Sequence, residues 1–190
     1  MKKKNIKKFS VFIYIFLLFQ NALAVDDSDI FLEAVLFTAV KKSNYEKTLE
    51  MIERGVSVNE LDSKKMNALA YSLKNDDERM FDLLLSRGAE IKRTILDKSS
   101  ILIFYVSSKK FRLLKKLIDA GADPNFQDSL GRTPLMHAIE QRNIKAVNFF
   151  LKLDFDISIT DYGGKSIFDY AMSSRDHNIR KLFKNIEISQ

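Results

Sequence analysis

Cysteine is absent from the 190-residue sequence, proline and histidine occur twice each, and glycine only six times. Without cysteine there can be no disulfide, no thiolate nucleophile, no cysteine metal ligand and no lipid-modified cysteine, so the fold must stand on packing. The two histidines, His137 and His177, lie forty residues apart with no H-E-x-x-H spacing, a weak basis for a metal site. No apolar run reaches the roughly 20 residues needed to span a bilayer. The longest, Phe9 to Phe19, has eleven. No long segment shows the strict alternation of a sheet protein either, although fifteen phenylalanines and many leucines and isoleucines supply ample core material.

That eleven-residue run follows five lysines (Lys2, Lys3, Lys4, Lys7 and Lys8) and leads to Ala22, Leu23 and Ala24. A basic stretch, a short apolar stretch and an A-x-A site form the pattern of a secretory signal peptide. Residues 1–24 are therefore expected to be cleaved after Ala24, leaving residues 25–190 as one domain, exported to the periplasm or secreted, with a bacterial look to the signal. The net charge of +6 and the pI near 9.3 owe most of their value to this segment. Without its five lysines, 26 basic residues face 25 acidic ones, which gives no warrant for nucleic-acid binding.

Self-similarity at a fixed period organises the rest. Leu36, Leu69, Leu102, Leu135 and Phe168 lie 33 residues apart, as do Gly55, Gly88 and Gly121, and again Gly131 and Gly164. Only Gly163 falls outside these registers. In "MIERG", "LLLSRG" and "KLIDAG" the glycine follows an apolar helical stretch, the expected helix stop. In "DSLGRTP" and "DYGGKS" it takes the fourth position of a turn opened by Asp128 or Asp161. Asn67, Ser100, Thr133 and Ser166 stand at the predicted first-helix starts, where a side-chain oxygen can cap a backbone NH, and Pro134 follows Thr133 where a missing NH costs nothing. Second helices carry Met51, Ile52, Met80, Phe81, Leu84, Leu85, Phe111, Leu114, Leu117, Ile118, Val147, Phe150 and Leu151 at helical spacing.

The stretch "GADPNFQDSLGRTPLMHAI" and its weaker copies "NALAYS", "SILIFY" and "SIFDYA" resemble the ankyrin repeat, with its period of 33 and its T-P-L-H-x-A signature. The resemblance spans essentially all of residues 25–190 and implies an all-α solenoid of about five stacked helix-turn-helix repeats with short hairpin turns. Their approximate bounds are 29–61, 62–94, 95–127, 128–160 and 161–190. The first repeat lacks the turn glycine and the T-P pair. The fourth has Asp154 where the stop glycine belongs, so its helix end should deviate. The last places Arg180 and Lys184 where apolar residues would face a further repeat, as a polar C-terminal cap would.

The residues with chemical potential read as structural. His137 sits one position after the family's histidine, with Met136 in its place, and is expected to pack. "GGKS" at Gly163 to Ser166 imitates a phosphate loop, but Ile159 stands where that motif needs glycine. Asp76 and Asp77, like Asp26 and Asp27, read as solvated loop charge. No catalytic residue, metal or cofactor is expected. A small periplasmic hydrolase or metal-binding protein using His137 and His177, or a structural envelope component, are the alternatives.

The resemblance implies binding of another protein on a concave face built from hairpin tips and first helices. Carried over by register, the contact positions are Ser63, Lys64, Met66, Leu96, Asp97, Ser99, Ser129, Leu130, Arg132, Tyr162 and Lys165, with Lys41, Lys42, Lys74, Asn75 and Gln141 from the first helices. Bases outnumber acids in this set, so the expected partner of this monomeric scaffold, adaptor or inhibitor is an acidic or mixed protein surface.

Overall fold

In a computed structural model the described residues are 27–96, 98–153 and 156–188, and they form ten α-helices and no strands. The helices are α1 (Asp27–Lys41), α2 (Tyr45–Glu53), α3 (Ala68–Asn75), α4 (Glu78–Ser86), α5 (Ile101–Ser107), α6 (Leu114–Asp119), α7 (Pro134–Glu140), α8 (Ile144–Phe150), α9 (Ile167–Met172) and α10 (His177–Ile188). They pair as antiparallel hairpins, and each first helix packs on the next, α1 on α3, α3 on α5, α5 on α7 and α7 on α9. Among the described residues no helix is long and apolar enough to cross a membrane. The expected signal segment, Asp26 and Asp154 lie outside the described residues.

The first helices after α1 begin where the register predicts. Asn67, Ser100, Thr133 and Ser166 are extended, and each side chain accepts from the amide three residues on. Such a cap contributes about 1 kcal/mol by satisfying one of the free amides of the first turn. Second helices have caps of their own at a second 33-residue register, where Asn44, Asp77 and Asn143 accept from Lys47, Met80 and Ala146. Lys110 takes that position in the third repeat and cannot accept. The helix there starts late, at Leu114, with no side-chain cap.

This late start corrects the expectation for Phe111. It precedes α6 instead of joining its apolar stripe, and its half-exposed ring lies under the Lys145 ammonium at 4.5 Å. The remaining periodic residues are buried or pack on the core: Leu36, Leu69, Leu102 and Leu135 are essentially inaccessible, and Phe168 packs edge-on against Phe183. One core runs the length of the array because no helix pair can bury its face alone. At its last helix Arg180 is half-exposed and Lys184 exposed, one repeat after the buried Val147 and the half-buried Leu151.

Three turns recur in left-handed conformation along the array, the first at the helix-stop glycines Gly55, Gly88 and Gly121 with φ of 86° to 93°. Gly131 and Gly164 have φ near +80° in the hairpins, and Lys65 and Lys98 hold the same position with φ of 57° and 81°. At the turn between the helices of the first four pairs, Ser43, Asp76, Lys109 and Arg142 all lie between 52° and 58° without any glycine. Asn75 bridges to the preceding turn by donating to Lys41 O at 3.0 Å, and Asn143 does the same to Lys110 O at 3.1 Å. The turns are thus stitched into a continuous edge.

Candidate functional site

Three of the four described hairpins are organised by the aspartate that opens them, Asp62, Asp128 and Asp161. Asp128 Oδ1 accepts from the amides of Leu130 (2.8 Å) and Arg132 (2.9 Å), closing the turn. Its Oδ2 meets His137 Nε2 at 2.8 Å and the Arg132 guanidinium at 3.0 Å. Burial pushes the Asp128 carboxyl up, but the Arg132 amide, the His137 ring, the Leu130 amide and the Arg132 side chain outweigh it and bring it to about 2. The other ring nitrogen, His137 Nδ1, lies 3.3 Å from Ser107 Oγ on the preceding repeat. His137 is therefore a buried tie between hairpin, helix and neighbouring repeat.

The same tie recurs with different chemistry. Tyr71 donates to Asp62 at 2.5 Å and Tyr170 to Asp161 at 2.7 Å, in each case nine residues after the aspartate. Burial and the carboxylate push both tyrosine hydroxyls well above their ordinary value. In the third repeat both polar partners are gone: Ile95 and Phe104 occupy these positions and join the core. Sequence reasoning missed this pairing, although residues 71, 104, 137 and 170 are all aromatic and 33 apart.

Asp76 and Asp77 are corrected from solvated charge to repeat-bridging groups. Asp76 accepts from Tyr105 Oη at 2.8 Å and Arg112 Nε at 2.9 Å, and Asp77 accepts from Tyr45 Oη at 2.9 Å while capping α4. Desolvation raises both carboxyls, yet Arg112 and Tyr105 at Asp76, and the Ser43 side chain, the Met80 amide and Tyr45 at Asp77, draw them below the usual carboxylate range. "GGKS" is a hairpin followed by a cap: Asp161 accepts from the Gly163 and Lys165 amides, and Ser166 starts α9.

With the hairpins satisfied from within, their tips face outward. Ser63, Lys64, Ser129 and Lys165 are exposed, as are Leu96, Leu130 (57%) and Tyr162 (73%). The Tyr162 amide donates to Leu130 O at 3.0 Å and the Leu96 amide to Lys65 O at 2.9 Å, which ties tip to tip. Asp97 lies outside the described residues, and Ser99 is half-buried. Met66 is a correction: it is 5% exposed and part of the core, because its apolar side chain folds inward, whereas at the same register Arg132 is held in ion pairs and Lys165 is exposed.

The first-helix candidates are partly committed. Lys74 and Asn75 are exposed, but the Asn75 amide already holds the preceding turn. Gln141 is half-buried at the end of α7. Lys41 and Lys42 are exposed, and the Lys41 ammonium lies 4.1 Å over the Tyr71 ring and 3.5 Å from Asp62. Arg132 is shared between Asp128 and Glu140.

Between α7 and α9 an open groove of about 420 Å³ brings together Glu140, Arg142, Lys165, Asp169, Tyr170 and Arg175. His177 is exposed at the start of α10, and among the described residues no three His, Cys, Asp or Glu side chains gather where a metal could be held.

Residues 102–190 match the family model for ankyrin repeats in three copies. The fold is an ankyrin-repeat solenoid. Relatives include phosphocholine transferase AnkX of Legionella pneumophila, 29% identical over 157 residues covering 69% of this chain and 16% of that protein. The NF-kappa-B p105 subunit of Gallus gallus is 30% identical over 134 residues, 68% of this chain and 14% of its own. An inactive serine/threonine-protein kinase, TEX14 of Bos taurus, is 30% identical over 121 residues, 62% of this chain and 8% of its own. The chain thus spans less than a fifth of the length of each. Ankyrin repeats generally mediate protein–protein interaction, and rigid stacking of neighbouring repeats is what turns a row of tips into one binding surface.

Proposed function

We propose that the protein is an exported ankyrin-repeat module, cleaved after Ala24, that binds another protein through its hairpin tips and first-helix ends and acts as a scaffold, adaptor or inhibitor. The observation that carries this reading is the row of exposed apolar tips on internally satisfied hairpins. Leu130 and Tyr162 project from turns whose polar groups are already bonded, so the apolar side chains are held ready for contact at little entropic cost. An exposed tyrosine anchored beside a leucine is the kind of feature that dominates interface energetics. The periplasm or the secreted fraction is where the basic and apolar leader would send it.

The test is affinity capture from the exported fraction with the wild-type domain and with a Leu130→Glu/Tyr162→Glu variant. A specific partner retained by the first and lost by the second supports the reading. Equal capture by both sinks it.

A further inference from the structure

The edge where each first helix turns into its second carries a second, differently built surface. At one register position three successive repeats place Lys109, Arg142 and Arg175, all exposed. None of the three forms an ion pair with a described residue, whereas Lys41, Arg112, Lys116 and Arg132 do. Arg142 and Arg175 line the groove between α7 and α9 together with Lys165. The carboxylates of that groove are already engaged: Glu140 lies 3.2 Å from Arg132, and Asp169 accepts from the Ser166 amide (2.8 Å) and hydroxyl (2.6 Å). Arg142 and Arg175 are thus left without an ion pair in a groove whose carboxylates already have partners in their own chain, and Lys109 continues the row one repeat earlier, outside the groove.

We propose that this edge docks an acidic, extended polypeptide segment, with Lys109, Arg142 and Arg175 each receiving one carboxylate. The inference rests on the protein-binding reading above and names the chemistry of the partner. Neighbouring helices pack roughly 8–10 Å apart, so the cations recur at about that spacing. A polyproline II segment advances about 9 Å in three residues and presents every third side chain on one side, which matches one carboxylate per repeat. Guanidinium groups take carboxylates in paired, planar geometry. A nucleic-acid backbone fits poorly, because its charges follow every few ångströms and would run past the Glu140 and Asp169 oxygens.

The experiment measures fluorescence anisotropy of a labelled peptide with glutamate at every third position in a proline- and serine-rich background. The titrants are wild-type 25–190 and a Lys109→Gln/Arg142→Gln/Arg175→Gln variant shown by circular dichroism and urea midpoint to be folded. Wild type should bind, and the variant should lose about tenfold in affinity, since exposed ion pairs each contribute about threefold or less. A peptide of equal composition with its glutamates clustered should bind several-fold more weakly. Failure of wild type to bind, equal affinity of the variant, or indifference to glutamate spacing overturns the proposal. Binding of phosphatidylglycerol vesicles or single-stranded DNA in preference to the peptide overturns it too. If the captured partner is lost by the Leu130/Tyr162 variant but kept by the triple variant, this inference falls and the protein-binding reading stands.

Discussion

Replacing Asp128 by asparagine should destabilise the protein by about 2–3 kcal/mol at pH 5, and the loss should depend on pH in a defined direction. The carboxyl titrates at about 2 in the folded protein against an ordinary 3.8, a gap that corresponds to roughly 2 kcal/mol of stability. Because the folded value is the lower one, that stability is present in full above about pH 4 and is lost as pH falls through about 2. The side chain is only 8% exposed, so solvent screening removes little of it. Asparagine keeps an oxygen for the Leu130 and Arg132 amides but turns an NH₂ toward the Arg132 guanidinium, which adds a smaller local loss. Urea unfolding of both proteins at pH 5 and pH 2.5 reads the difference directly, since every other acid titrates alike in the two. Roughly two thirds of the pH-dependent part should be gone at pH 2.5. A gap below about 0.5 kcal/mol at pH 5, or one identical at both pH values, would refute the view of Asp128 as the electrostatic centre of its hairpin.

Three other substitutions test separate parts of the account by the same unfolding measurement. Lys110→Asn should stabilise by about 0.5–1 kcal/mol, restoring the second-helix cap that Asn143 provides one repeat later, and should extend α6 towards residue 111 as seen in amide exchange. Asn67→Thr should stabilise by about 1 kcal/mol, because the cap oxygen is kept while a fully buried side-chain NH₂ with no hydrogen-bond partner is removed; destabilisation would mean that the amide has a partner. Gly131→Ala should cost at least about 2 kcal/mol, more than the roughly 1 kcal/mol expected at Gly88. Both are left-handed, but a Cβ on Gly131 would lie 2.6 Å from the Tyr162 amide and force the tips apart, whereas one on Gly88 meets nothing within 4 Å.

How far each feature could be read from sequence follows from whether it repeats in a residue-specific way. The stop glycines, the caps at residues 67, 100, 133 and 166, and the leucine register all use residue types dictated by backbone geometry, so the period alone located them. The left-handed turn between paired helices was invisible because Ser43, Asp76, Lys109 and Arg142 share no side-chain property. There the packing of the two helices imposes the conformation, and a residue with no special preference accepts a cost of about 1 kcal/mol. The hairpin ties were hidden for the opposite reason: one mechanical role is filled by tyrosine, by histidine and, with Ile95 and Phe104, by an apolar pair, so that no single letter marks it. What the three solutions have in common is that donor and acceptor change together. A phenylalanine facing Asp128 would leave a buried carboxylate without its ring donor, and a tyrosine near Ile95 would bury a hydroxyl with no oxygen to receive it. Within one chain the repeats therefore act as parallel tests of the same contact. Where polar partner and polar acceptor vanish in the same repeat, the contact is structural, which is why His137 belongs with Tyr71 and Tyr170 and not with a reactive centre.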